Sequence, residues 1–318
     1  MRNSWAVLLG LGALLALSLV FGLAVGSAVD PGWEIIISIR LPRVVLGLLV
    51  GAALGTAGAM LQALLHNPLA DPFVLGISGG AALGGVTALG VGGSIGIATL
   101  SIPLAAFVGA LLATLLLYVV AGRAGAGPSH ALLLTGVIFN AFASSLIILI
   151  TSLLDSSGIT SVFLWLIGSI RHVDVWMIGA VGVLLCLGLM AGIREAYALN
   201  LISQGEETAL HLGVDVARTR RRVLLATAGM IGAAVAVAGL VGFVGLIAPH
   251  LIRLLSGPDH RSLIPASALL GGSLVLIADS LGRSVLAPTE LPVGAFTAIL
   301  GGPLFLFLLR RELRRLNP

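Results

Sequence analysis

Not one lysine occurs among the 318 residues, so all 17 basic side chains are arginine. A phosphate loop of the form G-x-x-x-x-G-K-[ST] is therefore excluded, because its lysine is what reaches the β- and γ-phosphates. Schiff-base chemistry through a lysine amine falls on the same ground. The single cysteine, Cys186, rules out an intramolecular disulfide and a cysteine-rich zinc site. Set in the apolar run VGVLLCLGLM, it reads as a small buried hydrophobe. Charge of either sign is scarce, at 9% of residues, where a soluble domain carries about 25%. With 58% hydrophobic residues and a mean hydropathy of +1.14, a chain of 32.2 kDa has too little polar surface to coat a water-soluble globule. The composition defines an all-α polytopic membrane protein.

Enzyme signatures are missing too. There is no H-E-x-x-H, no G-x-S-x-G and no pair of carboxylates within one apolar run. His66, His130, His211, His250 and His260 lack the spacing of metal ligands, so no metal is expected.

What is present is a series of apolar runs. A spanning helix needs roughly 20 such residues, and ten candidates follow: 5–28, 44–65, 73–93, 99–121, 131–153, 173–193, 223–242, 244–256, 262–282 and 293–309. The first exceeds the length of a signal-peptide core and is read as a retained span. With both ends on the inner side, Arg40, Arg43, Arg171 and Arg283 fall outside and the other 13 arginines fall inside. That bias is the positive-inside pattern. The pI near 10.5 thus reflects topology, and no nucleic-acid partner is expected.

Glycine is abundant, with 43 residues. In GAALGTAG (51–58) the small residues recur at the spacing that lets helix backbones touch in lipid. GAAVAVAG (232–239) echoes it. The copies precede HNPLADP (66–72) and GLIAPH (245–250), and opposed repeats of this kind are expected of transporters that rock around a central pathway.

Three features suggest function. The longest polar stretch, 194–222, should hold one or two short helices over Glu206–Ala217, broken at Gly213. It reads either as a docking surface or as an amphipathic interfacial helix. The outer arginines Arg40, Arg43 and Arg283 either snorkel and pair with Glu34 and Glu290 or form a basic rim for an acidic partner. Asp279 is the one acid deep in a span; intramembrane acids are functional candidates by default, yet Arg283 lies one helical turn away, within pairing reach.

The segments RLPRVVLGLLVGAALGTAGAMLQALLHNPLADPFVLGISGGAALG (40–84) and GLVGFVGLIAPHLIRLLSGPDHR (239–261), together with ELPVGAFTA (290–298), resemble the FecCD-type permeases. These are membrane subunits of binding-protein-dependent ABC importers for iron-siderophores, haem and cobalamin. The resemblance implies ten spans per subunit, a homodimer with the path on its two-fold axis, and a bacterial or archaeal cytoplasmic membrane. Two cytoplasmic ATPase subunits would use ATP-Mg, none of it bound by this chain. They would dock at residues 204–217, through Gly205, Glu206, Ala209, Leu212 and Gly213. An acidic face of a periplasmic or lipid-anchored binding protein would meet Arg40, Arg43 and Arg283. The cytoplasmic gate would map onto Asn67 and Leu69, and onto Ser129 and His130. An ion-coupled secondary carrier is the rival reading; it would need coupling-ion ligands at the midplane, where only Asp279 is available.

Overall fold

The computed structural model describes residues 2–26, 32–92, 98–122, 128–171, 173–287 and 289–316. All regular structure among them is helical. In chain order the helices are α1 (Arg2–Ala24), α2 (Trp33–Leu64), α3 (Ile77–Gly92), α4 (Ala98–Gly122), α5 (Pro128–Ser152), α6 (Ser156–Leu166) and α7 (Val175–Ile202). They continue as α8 (Glu206–His211), α9 (Val216–Ala238), α10 (Val244–Ser256), α11 (His260–Ser284) and α12 (Val293–Leu316).

Seven of these, α1, α2, α4, α5, α7, α9 and α11, are long and apolar enough to cross a membrane. The expected spans at 73–93, 244–256 and 293–309 correspond to shorter apolar helices, Ile77–Gly90, Val244–Ser256 and Val293–Leu306. The helix of the 73–93 segment starts only at Ile77, because Pro72 and Gly76 (φ +85°) hold the chain in turns before it.

Helix α2 is the hub. It packs along α11 and also touches α7, α9 and α10, and nearly every side chain from Val44 to Leu64 is buried. Its glycine row explains the closeness. A Cβ on Gly51 would collide with the Gly271 carbonyl, one on Gly55 with that of Ser267, and one on Gly58 with that of Gly245. Small residues thus bring backbones into contact where lipid supplies no hydrophobic drive between helices. At its start α2 carries a π-helical stretch, Ile36–Arg40, that delivers Arg40 to the interior.

Several expectations shift. Helix α6 escaped the hydropathy reading because 11 residues cannot span; Asp155 caps it by accepting a hydrogen bond from the Gly158 N–H at 2.9 Å. The polar stretch expected over 194–222 is mostly helix, since α7 runs to Ile202 and α9 begins at Val216. Glu195 joins the two ends through Thr219 Oγ1 (2.9 Å) and Arg222 Nη1 (2.7 Å). Cys186 is exposed, not buried. It shares the outward face of α7 with Val183, Leu187 and Met190, a surface suited to lipid.

Candidate functional site

Three regions carry the polar chemistry. The first surrounds the C-terminus of α1, whose last carbonyls lack intrahelical partners. Arg40 Nη1 donates to Leu23 O (2.8 Å) and Ala24 O (2.9 Å), and Arg283 Nη2 donates to Gly22 O (3.0 Å). Cations there also suit the negative end of the helix dipole. Asp279 sits between Arg43 Nη2 (2.9 Å) and Arg283 Nε (3.0 Å), and Arg43 Nη1 reaches Glu290 at 2.9 Å. The three arginines therefore gather as expected, but they turn inward. Arg40 and Arg283 are each 4% exposed, because carbonyls and Asp279 hold their donors. The Asp279–Arg283 pairing read from sequence forms, and Glu290, read as one partner for the outer arginines, takes Arg43.

The second region is the non-helical loop between α2 and α3. Asn67 Oδ1 accepts from the Leu69 N–H at 2.9 Å, an Asx-turn that fixes the loop locally. Asn67 and Leu69, the expected gate pair, face different spaces. Leu69 lines an apolar cavity of about 480 Å³ with Asp71, Phe73, Phe243 and Phe305, whereas Asn67 lines a polar cavity of about 530 Å³. Burial pushes the Asp71 carboxyl up to about 6, against the Phe73 N–H bond that favours its charge; its other oxygen, Oδ2, is buried without a partner. Ser129 and His130 begin α5, but their side chains lie outside the described residues.

Sequence reasoning missed Gln62, which ties this region together. Buried in α2, it donates through Nε2 to Ala70 O (3.3 Å), Gly245 O (3.4 Å) and Leu246 O (3.4 Å), while Oε1 accepts from Arg253 Nη2 (2.9 Å). One amide side chain in the apolar run 44–65 was the available signal. Nearby, Phe243 caps the start of α10 at φ +66° and packs its ring on Gly301 of α12. A bulky residue in the left-handed region is strained, and such strain concentrates at functional sites.

The third region is α8 and its flanks. Gly205 (φ +134°) and Gly213 (φ +82°) bracket the helix, so the break expected at Gly213 is present. Ala209 is fully buried against Ile202 and Val216, and Glu206 pairs with Arg220. Leu210 and Leu212 point away, 57% and 59% exposed. A short helix is thus pinned on one side and presents two bare leucines on the other.

A multi-pass helical bundle with glycine-tight crossings, a non-helical loop between two cavities and a short pinned helix beside two exposed leucines defines an α-helical polytopic membrane protein. The chain belongs to the FecCD transport family, whose model matches residues 4–311. It is 41% identical over 285 residues to the hemin transport system permease protein HmuU of Yersinia pestis, covering 89% of this chain and 85% of the relative. It is 43% identical over 284 residues to the cobalamin import system permease protein BtuC of Halobacterium salinarum, covering 88% and 74%. Among solved structures, one described as an inward-facing conformation of a metal-chelate type ABC transporter superposes with a TM-score of 0.86 at 30% identity, covering 96% of this chain and 99% of the other. The protein is a permease subunit of the ABC importer class.

Proposed function

We propose that the chain moves an iron chelate (siderophore or haem) or cobalamin inward as half of a homodimeric permease, with ten crossings per subunit and both termini cytoplasmic. It is a non-catalytic subunit, and hydrolysis of ATP-Mg occurs on two separate ATPase chains. The observation that carries this is α8: exposed Leu210 on the helix and exposed Leu212 just after it, with the opposite side fixed by Ala209 and the Glu206–Arg220 pair. A rigid apolar knob on a charged surface suits transmission of a push from a docked ATPase through residues 204–217. Asn67 and Leu69, with Ser129 and His130 of α5, form the cytoplasmic gate, and rocking of the bundle opens it.

Binding-protein docking falls chiefly to Arg43. It bonds an exposed acid, Glu290 at 46% side-chain exposure. An incoming acidic side chain replaces Glu290, while Arg40 and Arg283 raise the positive potential beneath.

The test is uptake into vesicles holding the permease with its ATPase. Transport that needs both ATP and the binding protein is expected. Uptake driven by a proton gradient alone would favour the ion-coupled carrier instead.

A further inference from the structure

Arg253 differs from the other arginines withdrawn from solvent. Arg43 and Arg283 face Asp279, Arg220 faces Glu206, and Arg40 bonds two main-chain carbonyls. Among the described residues no carboxylate pairs with Arg253. Its Nη2 donates to a neutral group, Gln62 Oε1, at 2.9 Å, and its Nη1 is buried without a partner. A guanidinium cannot shed its proton. Arg253 is half-buried, and a charge partly withdrawn from water with no opposite charge beside it is costly, so the fold invites a counter-ion.

The polar cavity of about 530 Å³ lies against this group, lined also by His66, Asn67, Asn200, Gln204 and His260. His260 offers a second, independent sign of a ligand: it is 2% exposed and its Nε2 has no partner. The proton on its ring can be located. Asn200 Oδ1 accepts from the His260 main-chain N–H at 2.8 Å, which fixes it as the amide oxygen. His260 Nδ1, 2.7 Å from the same oxygen, must then carry the hydrogen. In the neutral ring Nε2 is therefore a lone pair, an acceptor awaiting a donor. His260 also opens the 25-residue helix α11, whose amino end favours negative charge.

Asp259 borders the cavity as well, but its Oδ1 is committed to Asn200 Nδ2 (2.7 Å) and the Arg261 N–H (3.1 Å). The requirement is thus for a ligand that bears an anionic oxygen for Arg253 and an O–H for His260. Hydrogenphosphate has both on one phosphorus; sulfate at neutral pH has only the first.

We propose that this cavity is a binding site for a hydrogenphosphate group, with Arg253 as its counter-charge and His260 Nε2 accepting its hydroxyl hydrogen. The site stands independently of the solute carried. Its phosphate comes either from free inorganic phosphate or from a lipid phosphomonoester headgroup.

The experiment titrates the purified full chain, in phosphate-free maltoside micelles at pH 7.5, with inorganic phosphate, sulfate and short-chain phosphatidic acid by calorimetry. Saturable binding of inorganic phosphate or of phosphatidic acid is expected, and whichever arm binds names the source. Arg253→Gln should weaken it by roughly tenfold or more, a loss of about 1.4 kcal/mol. Sulfate should bind wild type several-fold more weakly than phosphate, and His260→Ala should erase that preference. The proposal is overturned by absence of binding in both phosphate arms, by wild-type affinity in Arg253→Gln, or by sulfate binding as tightly as phosphate. The phosphate–sulfate comparison needs no variant, so it decides even where a substitution impairs folding.

Discussion

Asp279 and Arg43 meet across 236 residues of chain, Oδ1 to Nη2 at 2.9 Å, and their bond ties α11 to α2 beside the end of α1. Asp279 also holds Arg283 on its own helix at 3.0 Å. Its carboxylate is 5% exposed, so it answers two cations inside the bundle. Removing one partner from such an arrangement costs far more than the net worth of the bond, because the remaining charges stay buried.

Asp279→Asn should therefore lower stability by about 3 kcal/mol or more. Thermal unfolding of the detergent-purified protein checks this, and a midpoint unchanged from wild type would mean that the arginines find other partners.

Asp71 makes stability depend on pH in a definite direction. Its folded carboxyl titrates at about 6, above the ordinary 3.8. The native state thus holds the proton where the unfolded chain has lost it, and stability declines as pH rises from about 4 to about 6, then levels off. At 1.36 kcal/mol per pH unit the decline is on the order of 3 kcal/mol. Asp71→Asn keeps the oxygen that accepts from Phe73 N–H. It should raise the midpoint at pH 7.5 and flatten the profile between pH 4.5 and 6.5.

Leu212→Glu alters a side chain that is 59% exposed, so the permease itself should change by no more than about 0.5 kcal/mol. Co-purification with the ATPase should fall sharply. Full retention of the ATPase would remove α8 from the coupling role.

Gly271→Val places branched carbons against the Gly51 carbonyl, where even a Cβ collides. Overpacking of this kind costs typically 1–3 kcal/mol or more, and the monodisperse fraction in gel filtration should drop. Gly12→Ala meets nothing within 4 Å and should behave as wild type.

Local patterns were readable in the sequence. Hydropathy located the long helices, Gly213 marked the break after α8, and the i, i+4 spacing of Asp279 and Arg283 foretold their pair. Rotation about helix axes was not readable. Arg43 reaching Asp279, Arg253 reaching Gln62 and Cys186 facing outward all depend on how helices far apart in sequence turn toward one another. The inward turn of Arg40 and Arg283 was hidden for the same reason, since the carbonyls they bond belong to α1. The cavity pair flanking Asn67 and Leu69 needed the tertiary fold as well, because α10 and α12 supply walls on one side and α7 on the other.

The π-helical stretch at Ile36–Arg40 lengthens one turn. A π turn closes i→i+5 instead of i→i+4, so the stretch takes up about one residue more than an α turn would, with little net rotation between Trp33 and the buried length of α2. The extra residue acts as a shim: it lets the guanidinium of Arg40 point at α1 while the residues beyond keep their own alignment with α11.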